Sequence, residues 1–194
     1  LWDGRPTLLR SPHVAKARGI ETLYQELAVF EPAAVTATLF AGRERLRPGL
    51  AGRLGILDAE RMRAFTRETL ERLRIPIASV GQELRFLSGG QRQSVAIGRA
   101  IAFGSRLVIM DEPTAALGAV ESEKLLDLVG EMRARGVAVI VVSHNLLHVF
   151  RAADRIGVLY HGELRRALAR EAADPQMVLA LMMGRRPAAE GERA

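Results

Sequence analysis

The chain has no cysteine, so neither a disulfide framework nor a thiolate metal site can form. Lysine occurs only at Lys16 and Lys124, and the positive charge is therefore almost entirely arginine. No apolar run approaches the ~20 residues that a membrane-spanning helix requires, and the longest, residues 137–142, has the length of a strand. No secretory signal opens the chain. We therefore expect a soluble protein whose links to a membrane go through a partner.

The net charge of +6 suggests a nucleic-acid partner, but the pattern of the charges argues against one. Arginines are spread along the chain and alternate with acids, as in residues 68–74, which is typical of solvated helix faces rather than of a basic groove. We therefore expect no nucleic acid as a partner. A length of 194 residues fits one domain with a subdomain. Because the first residue is Leu1 rather than Met, we expect the chain to be part of a longer polypeptide.

The sequence changes character near residue 26. Before this point, short apolar pieces at Leu8–Leu9 and Ile20–Tyr24 predict strands. Between residues 26 and 86, amphipathic helical patterns dominate, most clearly over Asp58–Arg74, where Asp58 is the expected N-cap. Residues 26–86 are therefore interpreted as a helical subdomain inserted into a larger α/β unit.

From residue 87 onward, helical and strand-like patterns alternate. A Ser-Gly-Gly turn precedes a helix predicted to end near Phe103, and apolar runs predict buried strands at Leu107–Asp111 and Val137–Ser143. The other predicted elements are helices at Val120–Arg135 and Asn145–Ala152, a hairpin of Arg155–Tyr160 and Glu163–Ala169, and a last helix that begins at Asp174-Pro175. This alternation predicts an α/β fold with a mostly parallel sheet covered by helices. Residues 185–194 are predicted to form a polar, disordered tail.

The pair Asp111-Glu112 is the first candidate for chemistry. Two acids that follow a buried strand are costly unless a cation or hydrogen bonds compensate their charge. Ligands of open α/β sheets bind at the carboxyl ends of the strands, which makes Asp111 a candidate ligand of Mg²⁺. Glu112 would point elsewhere and polarise an attacking water. The pair alone is equally compatible with a strand end that leads into a proline-containing turn.

The turn Ser88-Gly89-Gly90-Gln91 offers backbone N–H groups at the start of a predicted helix. A helix start carries a partial positive charge and binds phosphate, and glycines let a ligand approach the backbone closely. Alone, this turn is more typical of an ordinary serine cap. Because Asp111 follows 23 residues after Ser88, we favour a phosphate-binding role.

Single histidine and glutamine side chains supply the remaining candidates. His144 follows a predicted strand, 32 residues after Glu112, and lies beside the acidic pair if the two strands are neighbours. A lone histidine is more often structural than catalytic. Gln25, at the end of a predicted strand, is uninformative by itself. The histidines at positions 13, 148 and 161 have no comparable context and are assigned no role.

Taken in order, these segments resemble the nucleotide-binding subunits of ATP-binding cassette (ABC) transporters. Ser88-Gly89-Gly90-Gln91 is similar to the family signature, and Leu107–Glu112 is similar to the Walker B strand with its catalytic glutamate. His144 corresponds to the switch histidine and Gln25 to the loop glutamine. The resemblance covers nearly all 194 residues and implies a single, partial ABC ATPase domain of the P-loop NTPase fold.

The resemblance implies a mechanism in which two cassettes enclose two ATP molecules. Each ATP would be capped by the other subunit's turn of Ser88, Gly89, Gly90 and Gln91. Asp111 and Gln25 would serve Mg²⁺. Glu112 would activate the attacking water, and His144 would steady the γ-phosphate.

The resemblance also implies partners and a location. The partners would be a second cassette, in a homodimer or heterodimer, a membrane permease on which residues 26–86 dock, and indirectly a sugar-binding protein. The protein would be cytoplasmic and peripheral on the inner face of the cell membrane. Residues 19–25, 39–44 and 143–146 resemble the ATPases of bacterial ribose, xylose and fructose importers. Gly118, where most of the family has aspartate, is compatible with that subfamily.

The phosphate loop that the family requires is missing from the chain. Its pattern is G-x-x-x-x-G-K-[ST], and neither lysine is followed by serine or threonine. We expect an ATP-hydrolysing subunit whose loop precedes residue 1, so that the isolated 194-residue chain is inactive. The alternatives are a non-catalytic partial cassette that lends its signature face to an intact one, and a soluble ABC protein that acts on nucleic acid.

Overall fold

The computed structural model describes residues 1–24, 30–115 and 117–185. The helices are α1 (Pro12–Ala17), α2 (Val35–Phe40), α3 (Leu50–Arg53), α4 (Ala59–Arg72), α5 (Gly89–Ala102), α6 (Ala119–Ala134), α7 (Leu146–Ala152) and α8 (Pro175–Met182). The strands are β1 (Ile20–Leu23), β2 (Leu107–Asp111), β3 (Ala138–Val142), β4 (Arg155–Tyr160) and β5 (Glu163–Ala169). Two 3₁₀ turns lie at Leu84–Phe86 and Arg170–Ala172.

Three strands form a parallel sheet in the order β1-β2-β3. Leu23 of β1 pairs with Met110, and Asp111 at the end of β2 pairs with Val142. The carboxyl ends of all three strands therefore lie at one edge of the sheet. Since helices separate these strands along the chain, the predicted α/β fold with a mostly parallel sheet is confirmed.

The chain divides into two compact units, Leu1–Val142 and Ser143–Ala194. In the first unit, the rings of Phe40, Phe65 and Phe103 have centroids 5.4 to 5.6 Å apart and form one part of the core. The second unit has a core of its own, made by Ile156, Val158, Val178 and Leu181. Its strands β4 and β5 pair in an antiparallel hairpin, as the sequence predicts.

Helix starts and ends follow local capping chemistry. The Asp58 carboxylate accepts a hydrogen bond from the backbone N–H of Arg61 at the start of α4, 3.2 Å away. The Asp174 carboxylate caps α8 in the same way, with the N–H of Met177 at 2.8 Å. Gly136 follows α6 with a φ of 77°, a left-handed conformation that glycine adopts without strain. These boundaries agree with the predicted ones.

Arg106, which precedes β2, binds the first residues of the chain to the start of that strand. Its guanidinium donates two hydrogen bonds to the Asp3 carboxylate, at 2.7 and 3.0 Å, and lies 5.0 Å from the centre of the Trp2 ring. These hydrogen bonds lower the pKa of Asp3 and raise that of Arg106.

Two strand predictions are wrong. Leu8 and Leu9 are exposed and lie in no strand. The apolar run predicted as a buried strand at Val137–Ser143 does form a strand, β3. Its residue Ile140 is 50% exposed, however, so β3 is not buried. The reason is that β3 is the last strand of the described sheet and has a neighbour, β2, on one side only. In β2, Val108 and Met110 are fully buried, whereas Leu107 and Ile109 are only partly covered, so this strand is fully buried on one face.

Some predictions fall outside the described residues. Gln25 and nearly all of the predicted polar tail, residues 186–194, belong to this group. The bounds of the helical subdomain, residues 26–86, stay a prediction. In the described part of the chain, no helix combines the length and the apolar character needed to cross a membrane.

Candidate functional site

The acidic pair lies at the carboxyl edge of the parallel sheet. Asp111 is the last residue of β2 and is exposed. Glu112 leaves the strand with a φ of 44°, a left-handed conformation that costs a residue with a side chain about 1–2 kcal/mol. Its N–H donates to the Val142 carbonyl at 2.9 Å, and its own carbonyl accepts from Ala115 at 3.1 Å. These two hydrogen bonds hold the backbone of Glu112 in the unusual conformation, so β2 ends sharply between the two acids.

His144 follows β3 by two residues. The condition for the predicted neighbourhood of His144 and the acidic pair is met, because β2 and β3 pair directly. His144 itself is exposed and belongs to the second compact unit, whereas Asp111 and Glu112 belong to the first. Its approach to the acids therefore stays a prediction.

The loop glutamine lies outside the described residues. The structure describes β1 to its end at Leu23 and then Tyr24, which is exposed. Gln25 is the next residue, so chain connectivity alone puts it after a strand whose carboxyl end adjoins that of β2.

The Ser88–Gln91 turn forms a reciprocal cap at the start of α5. The Ser88 hydroxyl oxygen accepts from the N–H of Gln91 at 3.2 Å, and the N–H of Ser88 donates to the Gln91 side-chain oxygen at 3.0 Å. The Gln91 amide nitrogen also donates to the Pro76 carbonyl at 3.2 Å. Gln91 therefore fixes the turn, and the ordinary serine cap is present as well. A contact of Gln91 with nucleotide stays a prediction.

Two backbone donors of the turn take no part in the cap. The N–H groups of Gly89 and Gly90 make no hydrogen bond to any residue in the described ranges. Gly89 has open space around it, since a Cβ placed there would meet nothing within 4 Å. The turn thus presents free donors at the positive end of a 14-residue helix, which is a favourable arrangement for an anion.

Sequence reasoning missed Glu121, in the first turn of α6. A Cβ added to Gly90 would lie 2.7 Å from Glu121 Cγ, and one added to Gly118 would lie 2.8 Å from Glu121 Oε2. Glu121 therefore fills the space between the signature-like turn and the N-cap of α6. The available signal was its position three residues after the cap, where a glutamate commonly folds back onto the helix start.

A second missed contact connects β1 to the region after α2. Arg43 forms an ion pair with Glu21, which lies in β1 and is largely buried. The Arg43 guanidinium also lies 4.8 Å from the centre of the Phe103 ring. This ion pair connects β1 to the segment that follows α2. No local pattern in the sequence indicates the pairing.

The acidic edge of the described sheet does not supply a complete set of side-chain ligands for a metal ion. Within the described residues, no group of three or more histidine, cysteine, aspartate or glutamate side chains is placed to hold a metal ion. Mg²⁺ needs only one or two carboxylates when phosphate oxygens supply further ligands. The exposed carboxylate of Asp111 fits that second kind of site.

A comparison of the sequence with protein families shows the family to which the chain belongs. The family described as "ABC transporter" matches residues 2–115, which include the Ser88–Gln91 turn and the acidic pair. The chain belongs to the ABC transporter family. The predicted resemblance to this family is confirmed.

Several relatives of the chain are named as ATP-binding proteins of sugar import. The fructose import ATP-binding protein FrcA of Rhizobium meliloti is 46% identical over 80% of this chain and 61% of the relative. The xylose/arabinose import ATP-binding protein XylG of Sulfolobus acidocaldarius is 35% identical over 84% of this chain and 63% of the relative. The ribose import ATP-binding protein RbsA 2 of Rubrobacter xylanophilus is 40% identical over 94% of this chain and 34% of the relative. The chain thus spans between one third and two thirds of their lengths.

A solved structure supports the fold. The chain is similar to the ATP-binding cassette MJ0796, whose structure is described as a dimeric post-hydrolysis state bound to ADP and Pi. The TM-score is 0.64 at 24% identity, over 84% of this chain and 68% of that one. At this identity the likeness shows the shared fold.

Proposed function

We propose that this chain is part of the ATP-hydrolysing subunit of an ABC importer for a simple sugar. The family match supports the ATPase, and the names of the fructose, xylose and ribose relatives support the cargo class. The observation that carries the proposal is the pair Asp111-Glu112, which stands at the carboxyl edge of the sheet with the Glu112 backbone held left-handed by its bonds to Val142 and Ala115.

Asp111 and Glu112 would have different roles at the γ-phosphate. Asp111 would bind Mg²⁺ together with phosphate oxygens of ATP, and Gln25 would supply a further ligand. The bound ion would neutralise charge on the phosphates. Glu112 would orient the attacking water and accept its proton, and His144 would donate a hydrogen bond to the γ-phosphate.

The signature-like turn would serve the ATP of a second cassette. Gly89 and Gly90 supply the free N–H donors, and Ser88 adds a hydroxyl at the same helix start. The turn is shaped by Gln91 before any nucleotide arrives, because Gln91 bonds to Ser88 and to the Pro76 carbonyl. A preformed turn costs little conformational entropy on binding.

The complete assembly would contain two cassettes and a membrane permease, with a sugar-binding protein that delivers the cargo. Residues 26–86 would dock on the permease, which would hold the subunit at the inner face of the cell membrane. Because the 194 residues contain no G-x-x-x-x-G-K-[ST] pattern, the phosphates of the first ATP would be held by residues outside them.

The decisive test replaces Glu112 by glutamine in a protein in which a phosphate loop has been supplied ahead of residue 1. The parent protein should hydrolyse ATP with Mg²⁺. The Glu112→Gln variant should lose at least about a hundredfold in kcat, because a general base contributes that much, while it still binds ATP. Glu68→Gln, an exposed change on α4, is the matched control and should hydrolyse normally. Normal turnover of Glu112→Gln would remove the glutamate from its proposed role.

A further inference from the structure

A hairpin-like excursion, residues 45–58, stands between α2 and α4; we call it the leucine tip. Two backbone hydrogen bonds close its base, from the Arg47 N–H to the Ile56 carbonyl at 2.9 Å and from the Asp58 N–H to the Arg45 carbonyl at 2.7 Å. The short helix α3 forms its far end. The leucine tip is therefore an ordered element with a defined base and end.

The leucine tip exposes its apolar side chains. Leu50 and Leu54, one helical turn apart at α3, are 76% and 79% exposed. Three further large apolar residues of the tip are also exposed, namely Leu46, Ile56 and Leu57. Five large exposed apolar residues within 12 positions are a local concentration, which indicates an interaction surface more than the single exposed leucines of an ordinary surface do.

The exposed conformation is built into the backbone. The Leu54 N–H donates to the Leu50 carbonyl at 3.1 Å, and the Ile56 N–H donates to the Ala51 carbonyl at 3.0 Å. A Cβ at position 52 would lie 1.9 Å from the Arg47 carbonyl oxygen. Only glycine, which has no Cβ, therefore allows the backbone at Arg47 and Gly52 to approach this closely. The leucines are thus presented outward by a preformed turn.

The charge of the leucine tip is positive apart from Asp58 at its base, which is buried and caps α4. Residues 45–57 contain three arginines and no acid. Arg47 and Arg53 form no ion pair with any residue that the structure describes, and Arg45 lies against the Phe65 ring at 4.9 Å. Exposed leucines at an outer end with arginines beside them match the two layers of an anionic bilayer surface, in which acyl chains lie beneath phosphate headgroups.

We propose that the leucine tip binds directly to anionic phospholipid. Leu50 and Leu54 enter the boundary between headgroups and acyl chains, and Arg47 and Arg53 bind lipid phosphates. An anionic lipid surface is a better match than a protein groove, because the three arginines at residues 45–57 have no acid beside them and call for a partner that is negative and apolar at once. This contact is additional to the docking on a permease and does not depend on ATP.

Sedimentation of the full chain with vesicles tests the proposal. Binding to vesicles of phosphatidylglycerol and phosphatidylcholine should exceed binding to pure phosphatidylcholine, and it should weaken as salt is raised. Leu50→Glu combined with Leu54→Glu should weaken binding by at least about tenfold, and Arg47→Gln or Arg53→Gln by about fivefold each.

Matched controls separate the leucine tip from general properties of the chain. Leu8→Glu combined with Leu147→Glu makes the same charge change at leucines that are 70% and 81% exposed, and Arg10→Gln does so for the arginine changes. All variants should keep the circular dichroism melting curve, since the changed side chains are exposed. The proposal is overturned if the parent chain ignores anionic vesicles, if the controls lose as much binding, or if the tip leucines instead drive self-association or bind only a permease protein.

Discussion

Gly90 and Gly89 are adjacent glycines with opposite surroundings, and this difference gives a prediction. A Cβ at position 90 would lie 2.7 Å from Glu121 Cγ, whereas one at position 89 would meet nothing. We expect Gly90→Ala to lower the free energy of unfolding by about 1 kcal/mol or more through overpacking. Gly89→Ala should leave it unchanged or slightly higher, because alanine is a better helix former. Urea unfolding of both variants measures the difference.

A double-mutant cycle assigns the effect to Glu121. In a chain that carries Glu121→Ala, the added methyl group of Gly90→Ala has space, and most of its cost should disappear. If Gly90→Ala destabilises both backgrounds equally, the clash with Glu121 is not the cause.

The contrast between these residues shows how far sequence reasoning reaches. Asp111 and the Ser88 turn were predictable, because their chemistry follows from residue type and from position next to a strand or a helix start. The contact of Glu121 with Gly90 joins residues 31 positions apart and depends on how α5 packs beside α6. No periodicity in the sequence reports that packing, and the same holds for the Glu21–Arg43 pair.

The end of α4 carries an arginine where a glycine would fit better. Arg74 has a φ of 53°, and the next residue, Ile75, donates its N–H to the Leu70 carbonyl at 2.9 Å, which closes the helix end. We expect Arg74→Gly to raise the free energy of unfolding by about 1 kcal/mol, because it relieves the left-handed strain and removes only an exposed ion pair. Thermal unfolding should show a rise in Tm of about 2–4 °C.

The matched change lies two residues earlier. Arg72→Gly, at the last residue of α4, should lower the free energy of unfolding by about 0.5–1 kcal/mol, since glycine is a poorer helix former than arginine. The opposite signs of two Arg→Gly changes so close together exclude a general effect of lost charge. A fall in Tm for both variants would contradict the assigned backbone conformation.

Elements whose limits depend on local chemistry were predicted well, and those that depend on neighbours were not. Asp58 and Asp174 start helices because their carboxylates satisfy N–H groups within three residues. The run Ala138–Val142 is apolar enough for a buried strand, yet β3 is exposed because only β2 lies beside it among the described strands. Apolar composition predicts that a strand forms, while burial depends on the order of strands in the sheet.

Across the entire chain, two of the three features that the proposed function needs are present. The acidic edge and the Ser88–Gln91 turn are both present, and the pattern of a phosphate loop is not. The proposed capping of an ATP that another cassette holds uses only the turn, so this half of the proposed function can be examined without any added loop.

Pairing with a complete cassette gives the last prediction. Mixed with an intact fructose import subunit of the FrcA kind, the 194-residue chain should co-elute in size-exclusion chromatography only when ATP and Mg²⁺ are present. Gly89→Asp should abolish the pairing, because its carboxylate would face the triphosphate at a site with room for the side chain. Leu8→Asp, an equal charge change at an exposed leucine, should pair normally. Calorimetry of the chain alone should show no micromolar ATP binding; such binding, or unimpaired pairing by Gly89→Asp, would contradict a capping role for the turn.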